Sequence, residues 1–94
     1  MRLTQQEQQV IKDTVKVYDQ GARVYLFGSR ADADKKGGDI DLLVISEKLD
    51  FTHKLNILAD LHQHLGEQKI DILIEPPDRL SDFAATIFPE AIEL

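Results

Sequence analysis

Val10, Ile11, Thr14 and Tyr18 recur at helical spacing behind Thr4 and Glu7, a hydroxyl and a carboxylate three residues apart that form a capping-box pair. The pattern predicts an amphipathic helix from Thr4 to about Asp19, ended at Gly21. Val24-Tyr25-Leu26-Phe27 is a short β-prone run stopped by Gly28-Ser29, and the polar stretch from Arg30 to Gly38 reads as a loop or an irregular helical turn. Asp39 to Ile45 (DIDLLVI) is a second strand, whose continuous apolar run suits burial on both faces. Phe51, Leu55, Leu58, Leu61 and Leu65 then recur at three and four residues, giving a helix capped by Asp50 or Thr52 and stopped by Gly66. Lys69 to Glu75 (KIDILIE) is a third strand, closed by Pro76-Pro77. Leu80, Phe83, Ala84, Ile87 and Phe88 trace the apolar stripe of a last helix, broken at Pro89; the tail from Glu90 to Leu94 carries no period.

This order predicts an α/β (α+β) fold with a small mixed sheet of three to four strands covered by helices. The first two strands, joined by a loop, suit antiparallel pairing, and the helix between the second and third suits a parallel crossover.

At 94 residues, with 43% hydrophobic and 30% charged, the chain is read as one globular domain, residues 1–94; disorder and fibre are excluded. A net charge of −6 argues against a phosphate-backbone partner, so no direct nucleic-acid binding is expected. The absence of cysteine removes thiolate metal sites and disulfides. The opening MRLTQQEQQV has no apolar leader, and no apolar run nears the ~20 residues of a bilayer span, so a cytoplasmic protein is expected.

Two Asp-x-Asp pairs occur, where chance supplies about one. Asp32 and Asp34 lie in a polar stretch beside Lys35 and Lys36 and read as solvated charge. Asp39 and Asp41 instead open an apolar strand, where a period of two puts both carboxylates on one face. Asp71 interrupts the apolar run Ile70 to Ile74, and its bland explanation is a strand-end position satisfied by a backbone N–H, Lys69 or Arg23. If the three acids converge, each like pair at ~4 Å repels by ~4 kcal/mol at an effective dielectric of ~20. Such a cluster makes sense with divalent cations, and oxygen ligands favour Mg²⁺ or Mn²⁺ over zinc.

Gly28-Ser29 can let a phosphate approach the backbone, with the Ser29 hydroxyl and Arg30 as further donors. Gly-Ser alone is a common turn, and its interest comes from standing one loop before the acids. Aspartyl phosphatases and receiver domains place their acids after the apolar strand, whereas here they precede it. No second glycine follows Ser29 at the spacing of a hydrolase nucleophile. His62 and His64 lie about 200° apart around a helix and cannot share a metal; with His53 they read as structural, as do Tyr18 and Tyr25 as packing residues.

Taken together, Leu26-Phe27-Gly28-Ser29-Arg30, Gly38-Asp39-Ile40-Asp41-Leu42-Leu43-Val44 and Asp71 resemble the minimal nucleotidyltransferases of the DNA polymerase β superfamily, from the first helix to the third strand. The resemblance implies a polymerase-β-like palm in which Gly28 and Ser29 contact nucleotide phosphate and Asp39, Asp41 and Asp71 form the catalytic, metal-binding site. It implies an acceptor hydroxyl attacking the α-phosphorus of a nucleoside triphosphate such as ATP, with two Mg²⁺ ions at the acids. Asp71 would also take the proton, and Arg30 and Lys36 would balance triphosphate charge. Nine residues separate Ser29 from Asp39, one fewer than the family pattern often has.

So small a domain has little surface left for a base pocket, which suggests that a separate chain completes the site as a hetero-oligomer. The resemblance implies a small helical HEPN-type protein encoded nearby, with this chain as an antitoxin that transfers AMP to a tyrosine of that partner. The alternatives are a non-catalytic module that silences its partner by occlusion, and the catalytic half of a split small-molecule nucleotidyltransferase. The stripe of the last helix, or Ile92 and Leu94, is a candidate docking surface, with core packing the expected role of most of those residues.

Overall fold

The computed structural model describes residues 2–32 and 38–94. Asp34 and Lys36 therefore lie outside the described residues. Helix α1 (Gln5–Tyr18) begins at the expected capping box: the Thr4 hydroxyl accepts from the Glu7 N–H at 3.0 Å, and the Glu7 carboxylate accepts from the Thr4 N–H at 2.9 Å. Strand β1 (Arg23–Phe27) runs into a single 3-10 turn over Gly28–Ala31, and β2 spans Ile40–Ile45. Helix α2 (Phe51–Leu65) is capped by Asp50, and His53 stands where a capping box usually has Glu, its Nδ1 accepting from the Asp50 N–H at 3.2 Å. Gly66, at φ +81, lies just past its last turn.

Strand β3 (Ile70–Glu75) ends at the two prolines, and α3 (Asp82–Ile87) starts at the Ser81 cap. α3 is shorter than its apolar stripe because Leu80 precedes the cap and Phe88 belongs to a 3-10 turn with Pro89. The unclassified tail forms β4 (Ile92–Glu93).

The sheet has the order β3-β2-β1-β4, with β1 antiparallel to both neighbours and β2 parallel to β3. This is the mixed sheet expected from the element order, with α2 as the crossover. Val24, Leu26, Ile40, Leu42, Val44, Ile70 and Ile72 point to one face and pack on Ile11, Val15, Ile57 and Leu61 of α1 and α2. The other face carries Tyr25 and Leu43 against Ala84 of α3, with Phe27, Ile45, Leu73 and Ile87 around them. Ile40, Leu42, Leu43 and Val44 are wholly buried, each worth ~1.5–3 kcal/mol, so β2 is the spine of both cores. α3 is six residues long, and on the face it covers Asp41 is half-buried and Asp71 exposed. Of the apolar stripe of the last helix, Ala84, Leu80 and Ile87 went to core packing, whereas Phe83 remains 58% exposed. Among the described residues no helix is long and apolar enough to cross a membrane.

Candidate active site

Register places the acids. β2 and β3 pair so that Asp41 lies directly beside Asp71, and neighbouring positions in a parallel pair put both side chains on one face, roughly 5 Å apart. β1 and β2 pair so that Phe27 lies opposite Asp41, and the chain turns at the next residue.

That next residue is Gly28, at φ +74, in the left-handed region that L side chains rarely adopt. A Cβ there would lie 2.3 Å from Asp41 Oδ2 and 3.2 Å from its Cγ, so the glycine leaves room for the carboxylate. Gly38, at φ +91, does the same for Ser29: a Cβ there would lie 2.0 Å from the Ser29 Oγ. The Gly28-Ser29 turn and the approach to Asp39 are thus interlocked through two residues without side chains.

Burial pushes the Asp41 carboxyl up from its ordinary range, and the negative charges of Asp71 and Asp39 push it further; Lys69 partly offsets them. Asp39 itself faces Lys69, whose Nζ is 3.5 Å from Oδ2 in an exposed ion pair. Among the described residues no three His, Cys, Asp or Glu side chains are gathered closely enough to hold one ion. The structure therefore brings Asp41 and Asp71 together, with Asp39 close enough to act on Asp41 but paired to Lys69. Of the bland partners considered for Asp71, Lys69 pairs with Asp39 and Arg23 makes a two-pronged bond to Glu93 at 3.0 and 3.1 Å. The local excess of negative charge at Asp41 fits a hard cation, and the donors are all oxygens.

Arg30 has partners other than the phosphate expected of it. Its Nε donates to the Gly38 carbonyl at 3.2 Å, Nη1 to the Arg2 carbonyl at 3.1 Å and Nη2 to Gln68 Oε1 at 3.0 Å. Sequence reasoning missed Arg2, Gln68 and the pairing of Lys69 with Asp39. Lys69 alone had a legible cue: it stands two residues before Asp71, which in a strand means the same face.

Other singled-out residues have structural roles. His53 caps α2, and His62 Nε2 lies 3.1 Å from the Gln68 carbonyl. Tyr18 donates to Asp60 at 2.6 Å, and Tyr25 is buried edge-on to Phe88.

Residues 9–94 match the family model described as "Polymerase beta, Nucleotidyltransferase". No curated protein matches the chain. A mixed sheet of this order, a glycine turn seated against a strand aspartate and a family match over residues 9–94 agree: the chain belongs to the polymerase β nucleotidyltransferase family.

Proposed function

We propose that this nucleotidyltransferase moves AMP from ATP to a hydroxyl of a partner protein in the cytoplasm, a tyrosine of a small helical HEPN-type toxin, and so serves as the antitoxin of a pair. The observation that carries the reading is the side-by-side placement of Asp41 and Asp71 above the Gly28 turn.

Asp39, Asp41 and Asp71 would hold two Mg²⁺ ions, or Mn²⁺ in their place; bound there, such ions supply charge neutralisation at the attacking and leaving oxygens. Asp39 must leave Lys69 to join the other two, which costs little because an ion pair this exposed is worth ~0–1 kcal/mol. Gly28 and Ser29 receive the triphosphate, the glycine through close backbone approach and the serine through its hydroxyl. The acceptor oxygen forms a bond to the α-phosphorus, the bond to the β-phosphate oxygen breaks, and pyrophosphate leaves. Asp71, the exposed member of the pair, takes the acceptor's proton on a carboxylate oxygen.

Incubation with Mg²⁺, α-labelled ATP and the candidate partner tests this. Label is expected on the partner and is expected to fall to background in Asp39→Asn and Asp41→Asn. Silencing of the partner that survives both substitutions would mean occlusion, and label on a small soluble acceptor would mean a split small-molecule enzyme.

A further inference from the structure

The acids of the site reach it by separate routes. Asp39 and Asp41 stand at the start of β2, whereas Asp71 stands on β3 after the turn that follows α2, so nothing local in sequence holds their relative position. One guanidinium meets all the routes. Arg30 stands on the 3-10 turn directly after Gly28 and Ser29, donates to the carbonyl of Gly38, the residue before Asp39, and donates to the side chain of Gln68, three residues before Asp71.

Its anchors are themselves fixed. Gln68 donates to the Leu65 carbonyl at 3.2 Å, at the end of α2, and to Glu7 at 3.3 Å, in the first turn of α1. Arg2 returns the contact: its N–H donates to the Arg30 carbonyl at 2.8 Å and its guanidinium to the carbonyls of Ser29 at 3.0 Å and Asp32 at 3.3 Å. The first rung between β2 and β3 on this side, from the Ile40 N–H to the Lys69 carbonyl at 3.0 Å, lies beside this junction. A planar fork with donors in three directions can span such a junction, and a lysine, with one point of charge, cannot.

We propose that Arg30 is a positioning residue: braced by Gln68 and the Arg2 carbonyl, it sets the Asp39–Asp41 segment against Asp71 and the Gly28-Ser29 turn, and its guanidinium is spent there rather than on the triphosphate. This deepens the reading above and rests on it for what the acids hold. Partners that orient ligating groups at one remove commonly affect metal affinity 10- to 100-fold.

The test uses the full chain, Arg30→Lys, Gln68→Met and the double variant. Mn²⁺ binding without nucleotide is read from water-proton relaxation, and amide hydrogen exchange is read on the metal-free proteins. Each single variant is expected to weaken Mn²⁺ about tenfold and to speed exchange at Ile40 and Asp71 about tenfold, with Val44 unchanged as the control for the core. The double variant is expected to lose little more than either single, because the two side chains act as one unit. If Arg30→Lys leaves exchange and Mn²⁺ affinity intact and weakens only MnATP, Arg30 is a phosphate ligand and the proposal falls. It falls equally if Gln68→Met leaves exchange at Ile40 and Asp71 unchanged, or if Val44 speeds up along with them. Should the unaltered protein bind no Mn²⁺, the metal-dependent reading fails, while the exchange results still decide whether Arg30 is the brace.

Discussion

Asp41 is held where its charge is least welcome. It is half-buried, it stands beside Asp71, and Asp39 is two residues away, so its proton is bound more tightly in the folded chain than in the unfolded one. A carboxyl whose pKa is raised by folding costs stability at any pH above that raised value, and the cost disappears as the pH falls through it toward the ordinary carboxylate range. Asp41→Asn is therefore expected to raise the thermal midpoint of the metal-free protein at pH 7, by roughly 2–5 °C, while abolishing transfer. The gain should shrink as the pH is lowered through the raised pKa toward 4, and a pH series of melting curves on the two proteins checks it. A gain that persists undiminished at low pH would mean that shape, not charge, distinguishes Asn from Asp here.

At the scale of elements, the far end of the sheet is fastened by one buried pair. Asp19, just past α1, accepts from the Ser46 hydroxyl at 2.6 Å and from the Gly21 N–H at 3.0 Å, and the Ser46 oxygen accepts from the N–H groups of Lys48 and Leu49 at 3.0 and 3.1 Å. The Ser46 hydroxyl, followed by the Gly21 N–H, holds the Asp19 carboxyl below its usual range. Ser46→Ala leaves the buried Asp19 carboxylate with the Gly21 N–H and takes the acceptor from two N–H groups, and urea denaturation should show a loss of ~1–3 kcal/mol at pH 7. A lowered pKa stabilises above the ordinary carboxylate range and ceases to do so as the pH falls through the lowered value, so the two proteins should converge in acid. Mn²⁺ binding at the opposite end of β2 should be unchanged. Nothing in the sequence marks this pair, because Asp19 and Ser46 are 27 residues apart and each is an ordinary residue for an element's end. By contrast the caps at Thr4 and Asp50, the stop at Gly66 and the apolar faces of α1 and α2 are visible in the sequence, since each depends on residues within one or two turns. β4 is the opposite case: two residues have no period, and the strand exists because β1 has an edge to pair with.

For the molecule as a whole, a net charge of −6 and an acidic site make divalent cations the natural stabilising ligand. Mg²⁺ at ~100 times its dissociation constant should stabilise the fold by ~2.7 kcal/mol, and Asp39→Asn should diminish that gain. Melting curves across a wide Mg²⁺ range, with and without ATP, measure it, and an unmoved midpoint in both series would count against a metal site.

The sequence by itself determined α1, β1, β2, α2 and β3, the alternation of faces along those strands, and that acids stand at the start of two of them, Asp39 just before β2, Asp41 in it and Asp71 in β3. Helical and strand periods are local properties, written within a few residues. Tertiary structure alone decided that Asp41 meets Asp71 and not a neighbour of it, that Gly38 lies against Ser29, that Lys69 takes Asp39, and that Arg30 turns inward to Gln68. Register and hydrogen bonds of this kind join residues as much as 38 positions apart, and they are chosen by the packing of two cores on one strand.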